Sequence, residues 1–240
     1  MSTELDHSTD LDHITEGLQS LAVDKVVQFT QMRSATMIQA TFRNKLKVAT
    51  IKNYTKELVA SIKRGKQTEP GSLTYLFNGP KPSGQSLNIQ LGHLGEKMFK
   101  KMIMLCPDCE LLPCGLHGID GKKKDLDLLW LNSKSKTVYY REAKGNIEMD
   151  TEKIPAMISK INDSVKTYVE TSYPTYAIDI GVLAWSVYNR TILKKGLSHI
   201  KKIEENDIPV DHVEDMLRLT NIQWKEDDFY EFMRSLPNSS

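Results

Sequence analysis

Two short segments, 124–131 and 137–144, constrain this 240-residue chain more than any other feature. Each mixes charged residues with Leu, Trp, Val, Tyr or Thr, and a polar break at 132–136 separates them. That pattern predicts a β-hairpin. In a strand, alternate side chains share a face at a spacing of ~6.5 Å. Asp125 and Asp127 are therefore expected on one face of the first strand, and Glu142 and Lys144 on one face of the second. A charge at the end of an apolar strand costs several kcal/mol to desolvate unless a counter-ion or partner meets it. The hairpin thus implies a partnered charge cluster.

Two acid-x-Lys pairs occur in the chain, Asp120-Gly121-Lys122 and Glu142-Ala143-Lys144. The first lies in a Gly- and Lys-rich turn without apolar flanks, whereas the second ends a strand-like run, so the second carries the chemistry. A pair of carboxylates beside one ammonium is a donor set for Mg²⁺ and for phosphodiester hydrolysis.

The flanking segments extend the pattern. Leu91, Leu94, Met98, Phe99, Met102 and Leu105 recur at helical spacing, predicting an amphipathic helix. Residues 110–116 read as a first strand, with Pro113 tolerated at an edge. Beyond the hairpin, Asp150 or Thr151 caps a helix through Pro155, Ile158, Ile161, Val165 and Val169. Residues 176–188 form an apolar run suited to a strand buried on both faces. The expected fold class is α/β, with an αβββαβ core around a mixed central sheet and additional N-terminal and C-terminal helices.

With that order of elements, Asp127, the fourteen-residue gap to Glu142-Ala143-Lys144 and the helical Glu96 resemble the PD-(D/E)XK nuclease superfamily, most of all type II restriction endonucleases. The resemblance spans roughly residues 91–188. It implies that Asp127 and Glu142, with the carbonyl of Ala143, hold one or two Mg²⁺ ions, and that Lys144 positions or deprotonates the attacking water. Leu126 stands where the strongest form of the motif has Pro, which leaves Asp125 as the alternative ligand to Asp127. Glu96 is expected either at a second ion or as a surface partner of Lys100. Lys144 is expected to have a lowered pKa if a metal lies beside it in a partly dry cleft.

The rest of the chain divides into a helical segment at 1–64, a Gly- and Pro-rich loop at 65–90, and the catalytic core with C-terminal helices at 91–240. In the first segment, Ile38, Phe42 and Leu46 form one apolar stripe and Ile51, Tyr54, Leu58 and Ile62 another, expected to cover the core or form a dimer. The loop offers Asn78, Lys81, Ser83, Gln85, Asn88 and Gln90 for contacts to DNA, since Asn and Gln amides pair bidentately with adenine. Lys122, Lys123 and Lys124, together with Asn146, are expected near phosphates. Net charge is only +1, so bulk charge does not announce a nucleic-acid partner. No apolar run approaches the ~20 residues of a membrane span, and the acidic, polar start is unlike a secretory signal. A cytoplasmic location in a bacterial or archaeal cell is expected.

All three cysteines, Cys106, Cys109 and Cys114, precede His117 closely, giving C-x2-C-x4-C-x2-H and a candidate zinc site. A strand through the same stretch would turn those side chains apart. A homodimer acting on double-stranded DNA completes the expectation, because a palindromic site presents two matching half-sites.

Overall fold

The computed structural model describes residues 8–63, 84–119, 121–145, 153–185 and 197–236. The chain divides into two compact units, Met1–Leu46 and Lys47–Ser240. The first is built on helix α1 (Ser8–Lys63), which continues into the second. Apolar residues are scattered around α1 instead of gathered on one face, and Ile38, Phe42 and Leu46 are each 60% exposed or more. Ile51 of the second stripe is fully buried, while Tyr54, Leu58 and Ile62 are half-buried.

The second unit holds helix α2 (Gly84–Met104), strands β1 (Cys109–Leu111), β2 (Gly115–Ile119), β3 (Lys122–Leu126), β4 (Leu128–Asn132) and β5 (Thr137–Lys144), and helix α3 (Lys153–Ser159). A π-helical turn (Lys160–Val165) leads into α4 (Lys166–Ser172), β6 (Ala177–Ala184), α5 (Leu197–Glu204), β7 (Val210–Asp211), α6 (Val213–Leu219) and α7 (Glu226–Ser235). Five strands form one mixed sheet in the order β1-β4-β5-β6-β7. β4 runs antiparallel to both β1 and β5, and β5, β6 and β7 run parallel. A parallel pair needs a long crossover, and α3, the π turn and α4 supply it between β5 and β6.

Both faces of the sheet are covered, as the continuous apolar runs require. On one face Leu129, Val138, Tyr140 and Val182 pack against Ile154, Ile161, Val165 and Val169 of the crossover. On the other, Leu128, Trp130 and Leu183 meet Phe99 and Met102 of α2, Met216 of α6, Phe229 of α7 and Ile51. Arg141, 3% exposed at its side chain, ties three strands together. Its guanidinium donates to Asp211 of β7 at 2.7 Å and to Asp179 of β6 at 2.8 Å. A buried guanidinium needs such paired acceptors to offset its desolvation.

Three sequence expectations change. The strand expected at 110–116 is split: β1 ends at Leu111, and after Pro113, which has no N–H to give a ladder, Gly115 adopts φ +94° and redirects the chain. The expected strand at 124–131 also breaks, at Asp127, because β3 leaves the main sheet to pair with β2 in a two-stranded ribbon while β4 pairs with β5. Finally, 84–90 is the first part of α2 and not loop. Asp150 and Thr151, the expected helix caps, lie outside the described residues.

Candidate active site

The alternation of β5 puts Tyr140, Glu142 and Lys144 on one face and Arg141 and Ala143 on the other. Lys144 Nζ donates to Glu142 Oε1 at 2.9 Å. Glu142 Oε2 accepts from Lys160 Nζ at 2.6 Å and from the Tyr140 hydroxyl. Asp127 sits at the corner between β3 and β4, where its Oδ2 accepts the backbone N–H of Ala143 at 2.8 Å. The corner is what frees this carboxylate from the ladder and turns it to the end of β5.

Electrostatics separates the two acids. Burial, reinforced by the charge of Glu142, pushes Asp127 up from 3.8 to about 7, and Lys144, Lys160 and the Ala143 N–H only partly oppose that rise. Burial also pushes Glu142 up, but the ammoniums of Lys144 and Lys160 and the hydrogen bonds from Lys160 and Tyr140 outweigh it, and its carboxyl is held below its ordinary value. For Lys144 burial pulls the ammonium down, yet the Glu142 charge and hydrogen bond prevail and hold it above its ordinary value. In the metal-free site the nearest partner of Lys144 is thus a buried carboxylate, which favours its ammonium form.

Packing at the rim fixes this end of the sheet. Trp185 follows β6, its N–H donating to the Lys144 carbonyl at 3.0 Å. Its indole lies edge-on to Phe99 of α2, with ring centroids 5.9 Å apart. A Cβ on Gly95 would overlap that indole, so only glycine lets α2 approach. The next residue, Glu96, is an in-helix partner of His93 and Lys100 at 3.4 and 3.8 Å, and it lies within electrostatic reach of Lys144.

The remaining candidates disperse. Asp125 is exposed on the β2–β3 ribbon opposite Leu116, so it does not share a strand face with Asp127. Lys122 and Lys123 are exposed on that ribbon, and Lys124 is half-buried opposite His117. Asn88 is exposed on α2, Gln90 donates to Ser86 there, and Gln85 lies in its first turn. Asn78, Lys81, Ser83 and Asn146 fall outside the described residues.

The structure does not gather Cys106, Cys109, Cys114 and His117 into one ligand set. The His117 ring lies between the Pro113 carbonyl at 3.0 Å and the Tyr168 hydroxyl at 3.2 Å. Cys114 donates to the Leu112 carbonyl at 3.3 Å, and burial pushes its thiol up. Burial likewise pushes Cys109 up to about 12, with Cys106 its neighbour. The split of 110–116 into two sheets is the physical reason Cys114 and His117 part from the neighbouring Cys106 and Cys109. Among the described residues, no group of three or more His, Cys, Asp or Glu side chains is arranged to hold a metal ion.

Sequence reasoning missed Tyr140 and Lys160. Tyr140 was recoverable, since it lies two residues before Glu142 on the same strand face. Lys160 was not, because its approach depends on a π turn in the crossover, and one wider turn leaves no mark in hydrophobic periodicity. No family model, curated protein or solved structure matches this chain. No described helix is long and apolar enough to cross a membrane.

Proposed function

We propose that this protein is a Mg²⁺-dependent endonuclease of the PD-(D/E)XK type that hydrolyses double-stranded DNA at a short specific site, as a homodimer. The observation that carries the reading is the convergence of Asp127, Glu142 and Lys144 at the end of β5. Support also comes from the order α2, β1, β4, β5, crossover helices, β6, which is the αβββαβ arrangement with the β2–β3 ribbon inserted after the first strand.

The donor set fits Mg²⁺. Asp127 and Glu142 are hard oxygen donors, and their mutual repulsion in a buried setting favours a cation between them. Two carboxylates suffice, because Mg²⁺ keeps several of its waters and seldom accepts an all-protein cage. Asp127, Glu142 and the Ala143 carbonyl would hold it. Bound there, it would supply Lewis acidity and a more acidic water.

The chain's own residues do the rest. Tyr140 and the ammoniums orient the Glu142 carboxylate. The Ala143 N–H orients Asp127. Lys144 holds the attacking water by hydrogen bond and offsets charge growing on the phosphate. Hydrolysis forms one bond from the water oxygen to phosphorus and breaks one phosphorus–ester oxygen bond. The water gives up a proton, and the departing alkoxide gains one. Lys144 holds its proton in the resting site, so it enters as a positioning cation.

The homodimer follows from the need for two active sites to cut both strands of a symmetric site. Ile38, Phe42 and Leu46 of α1, four residues apart, are each at least 60% exposed, and a second copy of the helix is the occupant proposed for this stripe. Sedimentation equilibrium tests this. A dimer that dissociates on Ile38→Glu with Phe42→Glu agrees, and a monomeric parent chain contradicts it. A repair or structure-selective nuclease with the same site is the second reading, since the same three residues would serve it; preferential cutting of branched over linear duplex would select it.

A further inference from the structure

Among the described residues, Lys160 is the charged group at the site that the acid-acid-lysine set leaves unexplained. It is the first residue of a six-residue π turn between α3 and α4, and its Nζ lies 2.6 Å from Glu142 Oε2. Its side chain is 18% exposed. A helix gains nothing from widening one turn, and such turns gather at functional sites. Here the turn begins at the residue that delivers its ammonium to the buried carboxylate.

Charge gives this position a purpose. Asp127 and Glu142 are the carboxylates that meet here, and Lys144 and Lys160 the ammoniums, so acids and ammoniums match in number. Metal binding at Glu142 needs an oxygen that the ammoniums now occupy. Lys144 sits on the strand, two residues from Glu142. Lys160 comes from a separate element and holds the other oxygen, so it can leave without disturbing the Lys144 contact.

We infer that Lys160 is a phosphate-binding cation of the site: it neutralises Glu142 at rest and transfers to a non-bridging oxygen of the scissile phosphate when DNA and one Mg²⁺ bind. This rests on the nuclease reading above. Lys160 then stands where a second metal ion would otherwise supply positive charge, and the site works with a single ion. The lysine gives no proton to the reaction; it contributes charge and a hydrogen bond.

The test uses the full chain, with Lys160→Gln and Lys160→Arg beside the parent. Duplex affinity is measured by fluorescence anisotropy across a salt series with Ca²⁺ in place of Mg²⁺, so that a divalent cation is bound, single-turnover cleavage is measured in Mg²⁺, and Mg²⁺ stoichiometry is measured by calorimetry. Loss of one phosphate contact lowers the slope of log affinity against log salt by about 0.9. Removing one donor to a charge that grows in the transition state slows cleavage about 10²-fold or more. Lys160→Gln should show both effects, Lys160→Arg should restore the slope and much of the rate, and the parent should bind one Mg²⁺ per chain.

An unchanged slope in Lys160→Gln overturns the inference while leaving the nuclease reading standing, whether cleavage slows or not, because Lys160 would then act only through Glu142. Two Mg²⁺ per active site overturn it as well. A parent chain that does not cleave DNA overturns the nuclease reading and this inference with it. If Lys160→Gln melts below the assay temperature, Lys160→Met, which keeps the apolar stem, provides the same comparison.

Discussion

Asp127 accepts the backbone N–H of Ala143 at 2.8 Å, joining the corner between β3 and β4 to the strand that carries Glu142 and Lys144. The contact sets which acid faces the site. Asp125, two residues earlier, is exposed on the separate ribbon.

Asp127→Asn should therefore abolish Mg²⁺-dependent cleavage, and Asp125→Asn should leave it within a few-fold of the parent. The amide oxygen introduced by Asp127→Asn could still accept the Ala143 N–H, so the fold should persist, and the loss should be of metal binding. Initial rates on plasmid DNA check this. The reverse order of damage would mean that the wrong acid has been assigned.

Lys144→Ala should lower cleavage about 10²-fold or more, as loss of a charge-stabilising group does. Its fold should survive because Glu142 keeps Lys160 and Tyr140 as partners. Glu142→Gln should be as damaging. It removes the carboxylate that Lys144 and Lys160 bond, but both are partly exposed, at 26% and 18%, and can turn to water. The cost should thus fall well below the roughly 3–5 kcal/mol of a broken fully buried pair. Circular dichroism melts together with cleavage rates separate the two effects.

The raised pKa of Asp127 makes stability depend on pH with a definite sign. Its folded value of about 7 exceeds its ordinary 3.8, so between those values the folded chain binds more protons than the unfolded one. Stability then falls as pH rises through this window. Asp127→Asn, which cannot ionise, should gain melting temperature relative to the parent between pH 5 and pH 8 in EDTA. Added Mg²⁺ at pH 8 should raise the melting temperature of the parent and not of Asp127→Asn.

Gly95→Ala should be destabilising beyond what a surface helix position allows. Alanine is a better helix former than glycine by up to ~1 kcal/mol, yet its Cβ would collide with the Trp185 indole. Overpacking costs typically about 1–3 kcal/mol and should win. Denaturant melts of Gly95→Ala and Gly92→Ala decide the matter, since nothing lies within 4 Å of a Cβ at Gly92 and that variant should be neutral or stabilising.

The hairpin, the apolar face of α2 and the buried β6 were legible because each rests on local periodicity. Asp127, Glu142 and Lys144 were legible as well, since two of them share a strand face and the third lies at its partner's end. What escaped depends on non-local geometry. The break at Asp127 arises because β3 finds a partner in β2 instead of extending β4, and Lys122 to Leu126 carry no periodic sign of that choice. The cysteines looked like a ligand cluster because sequence spacing says nothing of Gly115 turning the chain into a second sheet. Lys160 joined the site through a single wide helical turn.

The nuclease claim stands most directly on one digestion. Supercoiled and linear plasmid DNA are incubated with the parent chain and with Lys144→Ala, in Mg²⁺ and in EDTA, and the product ends are sequenced. The account predicts discrete fragments sharing one recurring end sequence, formed by the parent chain in Mg²⁺ alone. Intact DNA with the parent chain in Mg²⁺, or equal cutting by Lys144→Ala, would contradict it.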